Sequence, residues 1–154
     1  MVPFIVLVIS TLLLRVIGLS GVGLFNTWAW CLRVGLAVMF GLTASAHWGK
    51  RREDLIAMVP PLFPRPDLMV SVTGVFEVLG AVGLLIPVIA PVAAVCLAIL
   101  LIALFPANIR AAREHLRMGG RPATPLPMRT VLQLVFVFSL LVAGFPDVFP
   151  FAAG

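Results

Sequence analysis

Charge is scarce in this chain, and tyrosine is missing altogether: Asp, Glu, Lys and Arg make up 11% of its 154 residues, against roughly 25% in a soluble globular domain. That shortage excludes a water-soluble domain of ordinary composition. The two cysteines, Cys31 and Cys96, both stand in apolar segments without CxxC spacing. This excludes a thioredoxin-type dithiol and reads as two small buried hydrophobes. The two histidines, His47 and His115, have no Cys or carboxylate at ligand spacing, so no metal site is expected. A ligand set for haem or an iron–sulfur cluster is likewise missing. Period-two alternation is absent from the apolar runs, which excludes a transmembrane barrel. A formal charge of +5 and a pI near 11.1 could suggest nucleic acid. No basic patch interleaved with aromatics exists outside the loops between apolar runs, so none is expected as a partner.

What is present is hydrophobicity: 62% of residues are apolar and the mean hydropathy is +1.17. Runs near twenty residues recur, the length that crosses a bilayer. The expected fold is all-α, a polytopic transmembrane helical bundle with no room for a separate soluble catalytic domain. The first run, Pro3 to about Leu24, lacks a basic leader region and a small-residue cleavage site and reads as a retained span. The second runs from about Asn26 to Trp48. Trp28 and Trp30 mark one end and Trp48 the other, and the twenty residues from Trp28 to Trp48 rise about 30 Å, the hydrocarbon thickness. These tryptophans read as interface anchors. Residues 49–67 form a basic loop with four prolines and an interfacial helical turn before Pro60. Spans follow at about 68–87, 91–109 and 128–145, the last pair separated by a second basic loop over 110–127.

Nine of the eleven Lys and Arg residues fall in or around these two loops, and the opposite side carries none. By the positive-inside rule the N-terminus is cytoplasmic and the C-terminus external. A four-span alternative leaves the first segment lying in the interface.

Glu77 is the only carboxylate inside an apolar run. An acid at membrane depth is costly unless paired, protonated or watered, so it marks a candidate functional site. Helical rise puts it roughly 13 Å above the cytoplasmic boundary, near the bilayer middle, with Gln133 lower at about 8 Å. His47 and Asn108 fall at the cytoplasmic ends of spans two and four. Arg15 and Arg33, at roughly 18 to 21 Å, lie above Glu77. Arg33 and His47 share a face with Ala37 and Ala44. Around Glu77 stand Thr73, Gly74, Gly80 and Ala81, small enough for close helix approach. The candidate ligand-binding or proton-handling residues are therefore Glu77, His47, Asn108, Arg33, Arg15 and Gln133. A structural ion pair between Glu77 and an arginine is the competing reading.

The stretch Thr43-Ala-Ser-Ala-His47-Trp48, the prolines from Pro60 to Pro66, the run Gly74-Val-Phe-Glu77-Val-Leu-Gly80-Ala-Val-Gly-Leu-Leu-Ile-Pro87 and Phe105-Pro-Ala-Asn108-Ile-Arg110 together resemble the DoxX family of small bacterial membrane proteins. The likeness covers about residues 28–146. It implies a four-helix core over 26–146, an additional transmembrane helix over 1–25 and a short tail over 147–154. It also implies His47, Glu77 and Asn108 as recurring polar positions, a bacterial cytoplasmic membrane, and a link to redox or oxidative-stress metabolism. Trp48 stands where the family often has Phe. On this reading the protein is an accessory subunit binding a quinone-like or small amphipathic molecule near Glu77. It has no autonomous catalytic motif, and its basic loops 49–67 and 110–127 would dock a redox partner. A non-catalytic assembly or chaperone-like protein and a small-solute or proton-coupled transporter are the alternatives.

Overall fold

The computed structural model describes residues 1–152, apart from the side chain of Arg121. The described residues form seven α-helices: α1 (Val2–Leu19), α2 (Trp28–Ser45), α3 (Arg52–Met58), α4 (Pro66–Leu84), α5 (Ala90–Ala103), α6 (Phe105–Arg113) and α7 (Leu126–Gly144). A hairpin of two-residue strands, β1 (Arg117–Met118) and β2 (Arg121–Pro122), joins α6 to α7. Five helical segments, counting α5 and α6 as one, are long and apolar enough to cross a membrane. The chain is a multi-pass, all-α membrane protein.

Local chemistry explains where the helices start and stop. Proline occupies the first turn of α1, α4, α5, α6 and α7, where its missing N–H costs no intrahelical bond. Thr27 caps α2 by accepting from the Trp30 N–H at 3.4 Å. Between α5 and α6 the helix breaks at Leu104, because Pro106 has no N–H to offer the carbonyl one turn back. The helix then resumes to Arg113, so Arg110 and Arg113 stand on α6 instead of in a loop. The first span also differs from expectation. It ends at Leu19, and the chain turns through Gly21 at φ +111° into a short 3-10 turn, Gly23–Phe25. The interfacial turn expected before Pro60 is α3.

Helices α2, α4, α5 and α7 close into a ring, each packed on its neighbours, while α1 packs along α2 from outside. The core holds Leu36, Met39 and Phe40 of α2, Leu84 of α4, Leu97 of α5 and Leu140 of α7, with Leu7 of α1 at its edge. Helix α2 is the most buried span and the least apolar of the five. That inversion suits a lipid solvent, since the outer helices must satisfy hydrocarbon and the central one need not. After α7 two 3-10 turns, Pro146–Val148 and Pro150–Ala152, fold back so that Ala152 is buried with Ala29 and Val142. The rest of the expected tail, residues 153–154, lies outside the described residues.

Chain direction places the N-terminus, α3, α6 and the hairpin at one end of the bundle. All nine loop-associated Lys and Arg residues are at that end. Cys31 is buried as expected, whereas Cys96 is exposed on the outer face of α5, where its thiol serves as a small lipid-facing apolar group.

Candidate functional site

The seam between α2 and α4 assembles the site. Thr43 and His47 are four residues apart, one helical turn, and therefore stack on one face although α2 itself ends at Ser45. The His47 ring Nδ1 lies 3.2 Å from the Thr43 carbonyl oxygen, which can only accept, so the proton is on Nδ1 and Nε2 is left free. The ring fits because residue 74 is glycine: a Cβ there would stand 2.7 Å from the His47 Cβ. Glu77 follows one turn along α4, eleven residues or about 16 Å from its start, and is 5% exposed.

Thr43 connects the two ionisable groups. Its hydroxyl donates to Glu77 Oε2 at 2.7 Å and also lies 3.0 Å from the Phe40 carbonyl. One hydroxyl hydrogen cannot serve both acceptors fully. If the carboxyl carries a proton, Glu77 donates to Thr43 Oγ1 and Thr43 donates to Phe40. If it is ionised, Thr43 donates to Glu77. The cluster thus accommodates either state of the acid without moving a helix, which is what a proton-handling group needs.

These residues line a cavity of about 680 Å³. Its walls are mostly apolar, including Leu42, Met58, Phe63, Val70 and Leu101, with a few polar groups at set positions. Glu77 and Thr43 stand at membrane depth, His47, Asn108 and Arg129 nearer the basic end, and Lys50 and Arg51 beyond the end of α2. Arg129 Nη1 donates to Asn108 Oδ1 at 2.6 Å, and its Nε to the Thr124 carbonyl at 2.9 Å. His47 lies two residues past the end of α2. Burial pushes its imidazole below the ordinary value of 6.5 and the charge of Arg52 acts the same way, against the opposing pull of the Thr43 and Ala44 backbone.

Three of the six sequence candidates, Glu77, His47 and Asn108, meet on this cavity. The other three do not. Arg33 is buried in the opposite half of the bundle, where Nε donates to the Ala143 carbonyl at 2.8 Å and the guanidinium lies 5.6 Å from the centre of the Trp30 ring. Arg15 donates to the Phe25 and Asn26 carbonyls and lies 5.3 Å from the Trp28 ring centre. The vertical series from arginine to Glu77 is therefore not formed. The Glu77–arginine ion pair is likewise absent: the only ion pair among the described residues is Arg110–Glu114 at 3.0 Å. Carbonyls and indole faces hold the arginines because two tryptophans at the start of α2 lie within their reach. Trp28 and Trp30 are thus arginine platforms as well as boundary residues. Gln133, on α7, is not on the cavity wall and has no hydrogen-bond partner among the described residues. Asn108 sits inside α6 and accepts from Arg129.

Two residues of the cavity wall, Thr43 and Arg129, are not among the six sequence candidates. Thr43 could have been found from its four-residue spacing to His47. Arg129, one turn into the last span, counts with the loop charge in sequence, and nothing local shows that it turns toward the cavity.

A family model described as a domain of unknown function, DUF8561, matches residues 36–143, which include α3 to α6, the second half of α2 and α7 up to its last residue. No curated protein and no solved structure matches the chain.

Proposed function

The chain belongs to the DUF8561 family, and from that premise and its cavity we propose that it is an accessory membrane protein of redox or oxidative-stress metabolism that holds a quinone-like or other small amphipathic molecule beside Glu77. The observation that carries this reading is the Thr43–Glu77 hydrogen bond at the deep end of an apolar cavity, with the His47 ring on the same Thr43. An apolar chamber with a few convergent polar groups is the usual form of a small-molecule site. A carboxyl and an imidazole next to the ligand can exchange protons as it is reduced or oxidised. The residues offer no redox centre of their own, so electrons would come from a partner. The basic end, with segments 49–67 and 110–127, is the proposed docking face.

In this reading the protein is similar to the DoxX family, its core being α2 to α7 with α1 added outside. It lies in a bacterial cytoplasmic membrane with the basic end inside, as Lys and Arg asymmetry favours.

The test is native mass spectrometry and extraction of the detergent-purified protein, native and Glu77→Gln. A retained quinone or comparable small amphiphile is expected in the native protein, reduced about tenfold or more in Glu77→Gln, a loss of about 1.4 kcal/mol of binding. An empty native protein that also leaves membrane quinone reduction unchanged on deletion defeats the reading.

A further inference from the structure

Besides Glu77, the titratable groups on the cavity wall other than His47 are cations: Lys50, Arg51 and Arg129. Arg129 is the one that stands within a span. Its two hydrogen bonds go to neutral oxygens, the Asn108 amide and the Thr124 carbonyl, and among the described residues no carboxylate is within ion-pair distance. A guanidinium has five N–H donors in a fork that matches a carboxylate or phosphate, and these two bonds use only part of it. Asn108 accepts with Oδ1, which turns its NH₂ into a further available donor. A half-buried cation without an acid partner, in an apolar chamber, is an incomplete ion pair.

Helical rise gives the scale of what would complete it. Arg129 is three residues from the start of α7, about 5 Å deep, against about 16 Å for Glu77 on α4, which starts at the same end. An apolar body about 11 Å long spans that difference. The wall between is lined by Val70, Leu101 and Leu104.

We propose that the Arg129–Asn108 pair is the headgroup site of the cavity, and that its ligand is an anionic amphiphile whose carboxylate or phosphate docks on Arg129 while its apolar body runs toward Glu77. The proposal rests on the reading that the cavity binds a small amphiphile, and adds the sign of its head. The anion can come from a free fatty acid or from an anionic phospholipid. The chemistry recognised is the same.

The experiment measures binding of radiolabelled laurate to the full chain in a neutral detergent, with dodecanol as the uncharged competitor of equal chain length. Laurate is expected to bind at least about tenfold more tightly than dodecanol. The preference should fall to near unity in Arg129→Gln and be largely kept in Arg129→Lys. Because the ratio is read on the native chain, a variant that fails to fold cannot hide the result. Competition by lysophosphatidylglycerol but not lysophosphatidylcholine supports the site with a phospholipid as its source, whereas weaker competition by both than by laurate supports it with a free acid. Equal binding of laurate and dodecanol overturns the anionic site and leaves the amphiphile cavity standing. Failure of both probes to bind overturns the two together.

Discussion

At the scale of single residues, two kinds of buried charge are handled differently. Arg33 is tied to a carbonyl of α7 and lies against Trp30, so its role is to join helices. Replacing it with Gln should lower stability by about 1.5–3 kcal/mol, the worth of a charged hydrogen bond, measured by unfolding in mixed detergent micelles, while ligand retention stays unchanged. Lost retention at unchanged stability would put Arg33 back at the site. His47 is held neutral by burial, with its folded pKa below the ordinary 6.5. A depressed histidine binds fewer protons in the folded than in the unfolded state. Its stability contribution is therefore full above 6.5 and is lost as pH falls through the depressed folded value. The carboxylates titrate in acid as well, so the informative quantity is the difference between the native protein and His47→Gln. The melting temperature of the native protein should fall more steeply than that of the variant as pH drops below 6.5. Parallel curves would mean that His47 does not titrate on folding. The four-residue step from Thr43 to His47 was open to a sequence reader, because helical geometry is local. Arg33's partner was not, since Ala143 is 110 positions away and only the packing of α2 on α7 brings it near.

Among the elements, α1 poses the sharpest question, for it packs chiefly on α2 and lies outside the ring. Its contact surface includes Leu7 and Thr11, the latter set against Gly35 of α2, where an added Cβ would collide with the Thr11 hydroxyl. That hydroxyl is buried and has no hydrogen-bond partner among the described residues. Two substitutions at this seam should therefore act in opposite directions. Gly35→Ala should destabilise the protein by about 1–3 kcal/mol through overpacking. Thr11→Val, which keeps the shape and removes an unsatisfied hydroxyl, should leave stability equal or higher. Both are read by the same micelle unfolding titration, and a marked loss in Thr11→Val would mean that the hydroxyl has a partner in the membrane. The elements at the basic end were partly legible. The four prolines announced the break before α4, but Arg110 and Arg113 suggested a loop where α6 in fact continues, because a helix that has left the hydrocarbon can carry charge.

For the whole molecule, the arrangement of charge makes a topological prediction. Reporter fusions placed in 49–52 and 119–121 should report the cytoplasmic side, and fusions at 20–24 and 86–89 the opposite side. The same assignment for both sets would mean that one of the five helices does not cross. The sequence by itself determined the solvent, the apolar segments long enough to cross it and the end at which the positive charge gathers, because each depends on composition counted along a segment. It also singled out Glu77, because an acid in hydrocarbon is costly wherever its helix lies. What only the tertiary structure decided is who meets whom: Thr43 and His47 with Glu77, Arg129 with Asn108, and the two upper arginines with carbonyls and indole rings. Rotation of each helix about its axis and the closure of the ring set those pairings, and both come from side-chain packing between segments far apart in the chain.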